Sequence, residues 1–374
     1  MITLRRGPHP DRTAPPTSPL LLRTPGPPAA ALPHAHPPWS AFRSFLAQLR
    51  APLGDARIAA ALEPHRPLLS LVLRHLPSPP SSPGALALAS LPNVALRAGP
   101  LYGAWRDAFA ALLLGERATV FIPEVDQIDL ESLVCLRHVL SALRDRAQID
   151  VALGHDPSIA PADPFEALVR EQRLAQVALF EALPGTQVDA IEGRAETGPL
   201  PPLLADPLDD TLEARALQAL ATGAADASVL ARAALRASFD AFGFDAALRF
   251  SRTLESAGAA DDESRALGAL ALHNLAPISK EPWVGDALTA SFAALVSSAK
   301  DPLDRAHWGY RVTLAHGRTR GALEAALQAA DGAVAAADEA PRSPRASFVG
   351  AWTRNSRAYV RTRMGDFEGA AQDT

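Results

Sequence analysis

The sequence predicts a two-part chain: an α/β domain with a parallel sheet over residues 40–195, then an α-solenoid of helical hairpins over residues 210–374. Three observations predict it. Thr119–Ile122 and Ile149–Leu153 are short continuous apolar runs separated by a helix-spaced segment, the pattern of a βαβ unit whose strands are buried on both faces. PLPPLLADP at 199–207 breaks the composition and marks a domain boundary. Beyond it the chain is Ala-rich and helically spaced, and Gly-x-[Leu/Phe]-Glu-x-Ala occurs at Gly321 and again at Gly365.

Taken in order, residues 1–38 are Pro-rich (APPTSP, TPGPPAAALP, HAHPP), and such a segment is expected to be an extended, disordered leader. His34 and His36 lie in it without a third ligand, so they are expected to be surface residues rather than a metal site. Helical spacing then gives Phe42, Phe45, Leu46 and Leu49 on one helix and Leu68, Leu69, Val72 and Leu73 on a second, with Pro64 and Pro67 between them. SPPSSPG at 78–84 is a loop. Residues 99–114 place Trp105, Phe109, Leu112 and Leu113 on one helical face. The helix after the 119–122 strand starts near Asp129, a suitable N-cap, and aligns Leu133, Leu136, Leu140 and Leu143. Ile149–Leu153 follows as a strand, 163–172 as a helix, and Leu174–Phe180 as a third strand.

Composition removes several function classes. The 374 residues carry a net charge of −5, which leaves no electrostatic footprint for nucleic acid or an anionic membrane. No stretch has the length and apolarity of a membrane span. The opening residues lack the continuous apolar core of a secretory signal. Cys135 is the single cysteine, which excludes an internal disulfide and a thiolate zinc cluster and suits a reducing cytoplasm. Heavy Ala, Arg, Asp and Pro usage with two methionines resembles the output of a GC-rich bacterial genome.

Thr119–Leu133, TVFIPEVDQIDLESL, resembles the Walker B region of the signal-transduction ATPases with numerous domains, the STAND class. The family form is an apolar strand, two acids, a linker and Asp-x-x-Ser-Leu. The resemblance covers roughly 99–192 and closes on EALPGTQVDAI. It implies a P-loop-like (AAA-like) sheet. Glu124 matches the second acid, which would polarise the attacking water, whereas Pro123 stands where the Mg²⁺-holding acid belongs. His155, with Asp156, falls where the family places a polar sensor. The phosphate loop Gly-x-x-x-x-Gly-Lys-[Ser/Thr] would lie before about residue 60; that region has no lysine, and Gly7, Gly26 and Gly54 sit in no such motif.

The recurring glycine turns resemble the tetratricopeptide repeat, in which Gly closes the first helix of a hairpin and a small Ala lets the second approach. Gly243-Phe244-Asp245-Ala246 is a shortened version, and the intervals of 78 and 44 residues fit a unit near forty. Ala326 and Ala370 are the expected close-crossing positions. The last unit stops inside its second helix without a polar cap, as expected of a fragment or truncated reading frame.

No nucleophile elbow, zincin motif or dinucleotide fingerprint occurs. Asp129 is expected to cap its helix, Asp126 to be solvated, Cys135 to be a small buried hydrophobe, and His273 to be structural. Trp308, Tyr310, Arg311, Trp352 and Tyr359 lie on the first helices of their hairpins, and these residue types point to a partner-binding surface.

The first reading is therefore a non-catalytic regulatory or scaffold protein of the cytoplasm, working through protein–protein contacts, without cofactor, metal, membrane or nucleic acid. The alternative is a fragment of an active STAND ATPase or transcriptional regulator whose phosphate loop is missing from this reading frame, with Mg-ATP bound. A third is an adaptor in which only the repeats act.

Overall fold

Strands form in this chain where short apolar runs escape its prolines. The computed structural model describes residues 2–7, 20–24, 38–70, 72–73, 94–122, 125, 128–143, 148–154, 160–161, 163–183, 186–190, 212–276 and 281–373. These residues are mostly helical, with one parallel sheet of β1 (Ile2–Gly7), β2 (Leu20–Arg23), β3 (Arg117–Ile122), β4 (Gln148–Gly154) and β5 (Thr186–Ala190). Every pairing is parallel and the order is β2-β3-β4-β1-β5. Gly7 pairs with Gly154 and Ile122 with Leu153, so β1, β3 and β4 end together on the carboxyl edge.

Two expectations are corrected here. Residues 1–38 are not wholly a disordered leader: the Pro-free runs ITLRRG and LLLR are β1 and β2, and β1 lies inside the sheet. Leu174–Phe180 is not a strand. It belongs to a helix, Pro164–Glu181, whose N-cap Asp163 accepts from Glu166 N–H, and the next strand is β5.

By its contacts the chain divides into two compact units, Met1–Ala247 and Leu248–Thr374. The expected boundary at 199–207 lies outside the described residues.

In the first unit, α1 (Ser40–Leu53), α2 (Asp55–Leu62), the short turns Glu63–His65 and α3 (Arg66–Leu69), α4 (Val94–Leu113), α5 (Leu130–Leu143) and α6 (Pro164–Glu181) accompany the sheet. The predicted faces are the buried ones. Phe42, Phe45 and Leu49 of α1 meet Trp105, Phe109 and Leu112 of α4 in one core. Trp39 stacks on Trp105 at 6.0 Å, and Phe42 meets Phe109 edge-on at 4.8 Å.

Helices α7 (Leu212–Thr222) and α8 (Ala227–Asp240) belong to this unit as well. Trp39 Nε1 donates to Ala241 O at 2.6 Å, and Phe242 joins the same core. Gly243, read as a shortened repeat turn, serves a different end: a Cβ there would lie 2.0 Å from Pro38 Cγ. The left-handed backbone of that turn is at Phe242, with φ of 65°.

Helix α9 (Phe244–Ser256) crosses the division. The second unit continues with α10 (Asp262–Leu275), α11 (Pro282–Ser298), α12 (Pro302–Leu314), a π-helical turn at Ala315–Arg320, α13 (Leu323–Glu339), α14 (Pro344–Met364) and α15 (Phe367–Gln372). Side-chain caps start α10, α12, α14 and α15: Asp261, Asp301, Ser343 and Asp366 each accept a backbone N–H two or three residues on. Gly321 (φ 66°) and Gly365 (φ 85°) end the helical segments before α13 and α15 in the left-handed conformation.

Small residues set the approach of α12 and its π turn to α13. A Cβ on Gly309 would lie 2.9 Å from Ala333 Cβ, and one on Gly317 would lie 3.7 Å from Ala326 Cβ. The rising number on one helix against the falling number on the other makes the pair antiparallel. Ala326 and Ala330 are fully buried in this crossing.

Candidate functional site

Two places could carry function, and they differ in what they expose. The first is the carboxyl edge of the sheet, where α/β proteins bind ligands. Pro123, Glu124, Asp126, His155 and Asp156 lie outside the described residues, as do His34 and His36. Just beyond that edge the described acids are structural. Asp129 is fully buried; its Oδ1 accepts from Ser132 N–H and from Trp39 N–H, both at 2.9 Å, and its Oδ2 accepts from Ser40 Oγ at 2.8 Å. It thus caps α5, as its position predicts, and also the start of α1.

Glu131 is buried beside it, and its Oε2 has no hydrogen-bond partner among the described residues. Burial, then the charges of Asp245 and Asp129, hold its carboxyl well above the usual carboxylate range. Arg173 of α6 forms a buried ion pair with Asp245 at 3.3 Å. Cys135 is buried, and burial followed by the Asp129 charge raises its thiol, which suits a packing residue and not a nucleophile.

The second place is the face of the second unit formed by α12 and α14. The sequence named Trp308, Tyr310, Arg311, Trp352 and Tyr359, and the structure brings only part of this set together. Tyr310 lies against Trp352 at 5.5 Å between ring centroids. Phe348, which sequence reasoning passed over, packs on Trp352 at 4.7 Å and is 41% exposed. The Arg311 guanidinium sits over Tyr310, 5.4 Å from the ring centre. Trp308 turns elsewhere: it stacks on Phe292 of α11 at 6.2 Å with the rings 15° apart, and meets His307 edge-on at 4.8 Å. Tyr359 carries two guanidinium groups instead of an aromatic neighbour, Arg318 at 5.6 Å and Arg363 at 5.9 Å. Arg363 also donates to Gly317 O at 3.1 Å.

Arginines shape the titration of the imidazoles around this face. Burial, then Arg311 and Arg318, push His273 down to about 3. Burial, then Arg311 and Arg345, push His307 down to about 4. His316 is lowered by burial and by Arg320. These imidazoles are neutral at pH 7, so the local positive charge belongs to arginine. Arg345 here is paired with Asp304 of α12, whereas Arg311 and Arg318 lie over tyrosine rings. Sequence reasoning found Arg311 through residue type alone. It missed Arg318 and Arg363 because their convergence on Tyr359 depends on how the π turn packs against α14.

Among the described residues, no group of three or more His, Cys, Asp or Glu side chains could hold a metal ion. No described helix is long and apolar enough to cross a membrane. Comparison of the chain with family models, with curated proteins and with solved structures gives no match.

Proposed function

We propose that the chain is a non-catalytic regulatory or scaffold protein that binds another protein through the α12–α14 face. The observation that carries this is the half-exposed cluster of Tyr310, Arg311, Trp352 and Phe348 on two neighbouring helices. Aromatic and Arg side chains held in place by one another lose little freedom on docking, and these types dominate binding hot spots. On this reading the second unit is a solenoid of tetratricopeptide type and the first a STAND-like α/β domain that no longer turns over nucleotide. Both work in the cytoplasm. The test is capture of a partner from lysate by the whole chain against the Tyr310→Ala, Arg311→Ala double variant. The variant is expected to keep its circular dichroism and lose the partner. Undiminished capture by a folded variant removes this face from consideration.

A second reading, part of an active STAND ATPase, is favoured by one observation: β1 ends at Gly7 on the carboxyl edge, beside the ends of β3 and β4. A phosphate loop after β1 would occupy the edge where such sheets bind ligands. In this sequence residues 8–19 contain five prolines, no glycine and no lysine. Proline has no N–H to offer a phosphate, so residues 8–19 do not support that reading.

A further inference from the structure

The arginines of the second unit fall into two settings. Arg305, Arg345, Arg354, Arg357 and Arg361 each pair with a carboxylate. Arg311 pairs with none among the described residues, and its Nε is closed off from solvent without an acceptor. Four more polar atoms nearby in the fold are buried and unpartnered: His273 Nδ1, Thr289 Oγ1, His316 Nδ1 and Thr319 Oγ1. An unmet buried donor is costly, and such groups persist where a ligand completes them.

These groups belong to α10, α11, α12 and the π turn, which pack on one another along one seam. His273 of α10 meets Phe292 of α11 edge-on at 6.3 Å, and Phe292 stacks on Trp308 of α12, one turn before Arg311. Thr289 lies one turn before Phe292, and Gly285 one turn earlier. A Cβ on Gly285 would lie 3.5 Å from Thr319 Cγ2, so the π turn closes the other end. Short π segments recur at functional sites. Guanidinium, imidazole and hydroxyl groups can all donate, and no carboxylate is among them; Asp286 at the rim is taken by Arg320 at 3.3 Å.

We propose that this seam is an oxyanion site for a phosphoryl group, with Arg311 as the main charge contact and His273, His316 and Thr319 as neutral hydrogen-bonding partners. Planar guanidinium suits phosphate geometry. The site shares Arg311 with the docking face but does not depend on that reading.

Calorimetry on the full chain in low-chloride buffer tests it, with inorganic phosphate, a phosphoserine peptide and the unphosphorylated peptide as titrants. Saturable phosphate binding is expected, weakened at least tenfold by Arg311→Gln and several-fold by Thr319→Val. Arg342→Gln, on the exposed surface, should leave it unchanged. A phosphopeptide that binds more tightly than inorganic phosphate, with its parent silent, identifies a modified protein as the source; otherwise the source is a free small phosphate. Phe348→Ala, which leaves Arg311 and the Tyr310 ring beneath it in place, should retain phosphate even where it loses a protein partner, so the two readings fail separately. The proposal is overturned by the absence of saturable phosphate binding, or by a folded Arg311→Gln variant that binds as the parent does.

Discussion

Asp129 holds the backbone of Trp39 from ninety residues away, accepting its N–H at 2.9 Å. Trp39 has a left-handed φ of 65° and starts α1 without a side-chain cap of its own. The same carboxylate caps α5 through Ser132, so one side chain fixes two helix starts against each other. Replacing Asp129 by Ala removes both caps and leaves buried N–H groups unmet, at about 2–4 kcal/mol of stability. Denaturant unfolding measures this. A loss below about 1 kcal/mol would mean that the two caps are replaceable by water.

Glu131 makes the stability of the first unit depend on pH in an uncommon direction. Its folded carboxyl lies well above the usual range, mainly through burial, while the unfolded one titrates near about 4.3. Between those values the folded state keeps a proton that the unfolded state has lost, so stability falls as pH rises through that window and stays lower above it. Glu131→Gln is expected to flatten that fall and to raise the melting temperature at pH 7–8, with little change near pH 4.

His273 works in the opposite sense. It stays neutral in the fold down to about 3, whereas unfolded histidine protonates near about 6.5. Its contribution is present above about pH 6.5 and is lost progressively as pH falls towards 3. His307, at about 4, adds to that loss. His273→Leu should shrink the drop in melting temperature between pH 6.5 and 4, read by thermal unfolding of the full chain. An unchanged acid slope would assign the sensitivity to other groups.

Ala326 is fully buried against the π turn, while Ala335, on the same helix, is exposed. Ala326→Leu should overpack the crossing and cost about 1–3 kcal/mol. Ala335→Leu should stay within about 0.5 kcal/mol of the parent. Equal effects at both positions would refute the close-crossing role of Ala326.

Nucleotide binding gives a direct test of the first unit's reading. With no glycine or lysine in residues 8–19, Mg-ATP is expected to bind no more tightly than about millimolar, roughly −4 kcal/mol, and not to be hydrolysed. A micromolar dissociation constant by calorimetry would reverse the assignment.

The faces of α1, α4 and α5 were legible because their buried positions are almost all apolar, and period alone reveals such a stripe. Helix α6 was half legible. Its buried stripe runs through Val169, Arg173, Val177 and Phe180, and the charge at Arg173 interrupts it. Arg173 is tolerated there because Asp245 pairs with it, a partner 72 residues away that no local window contains. The apolar remainder, Leu174–Phe180, then looks like a strand. In the same way, proline averaged over residues 1–38 hid two runs without any. The aromatic cluster of α12 and α14 was legible by residue type, but the choice between Trp308 and Phe348 was not, because it depends on which neighbour each ring finds.

The place of β1 in the sheet also has a consequence in time. Among the described residues its partners are β4, which begins at Gln148, and β5, which begins at Thr186. A ribosome adding about 5–20 residues per second needs on the order of ten seconds to bring either within reach. Through that interval Ile2–Gly7 offers unpaired N–H and C=O groups on both sides, a template for any other extended chain. The nascent protein is thus most open to wrong pairing, or to capture by a chaperone, before α5 and β4 are made.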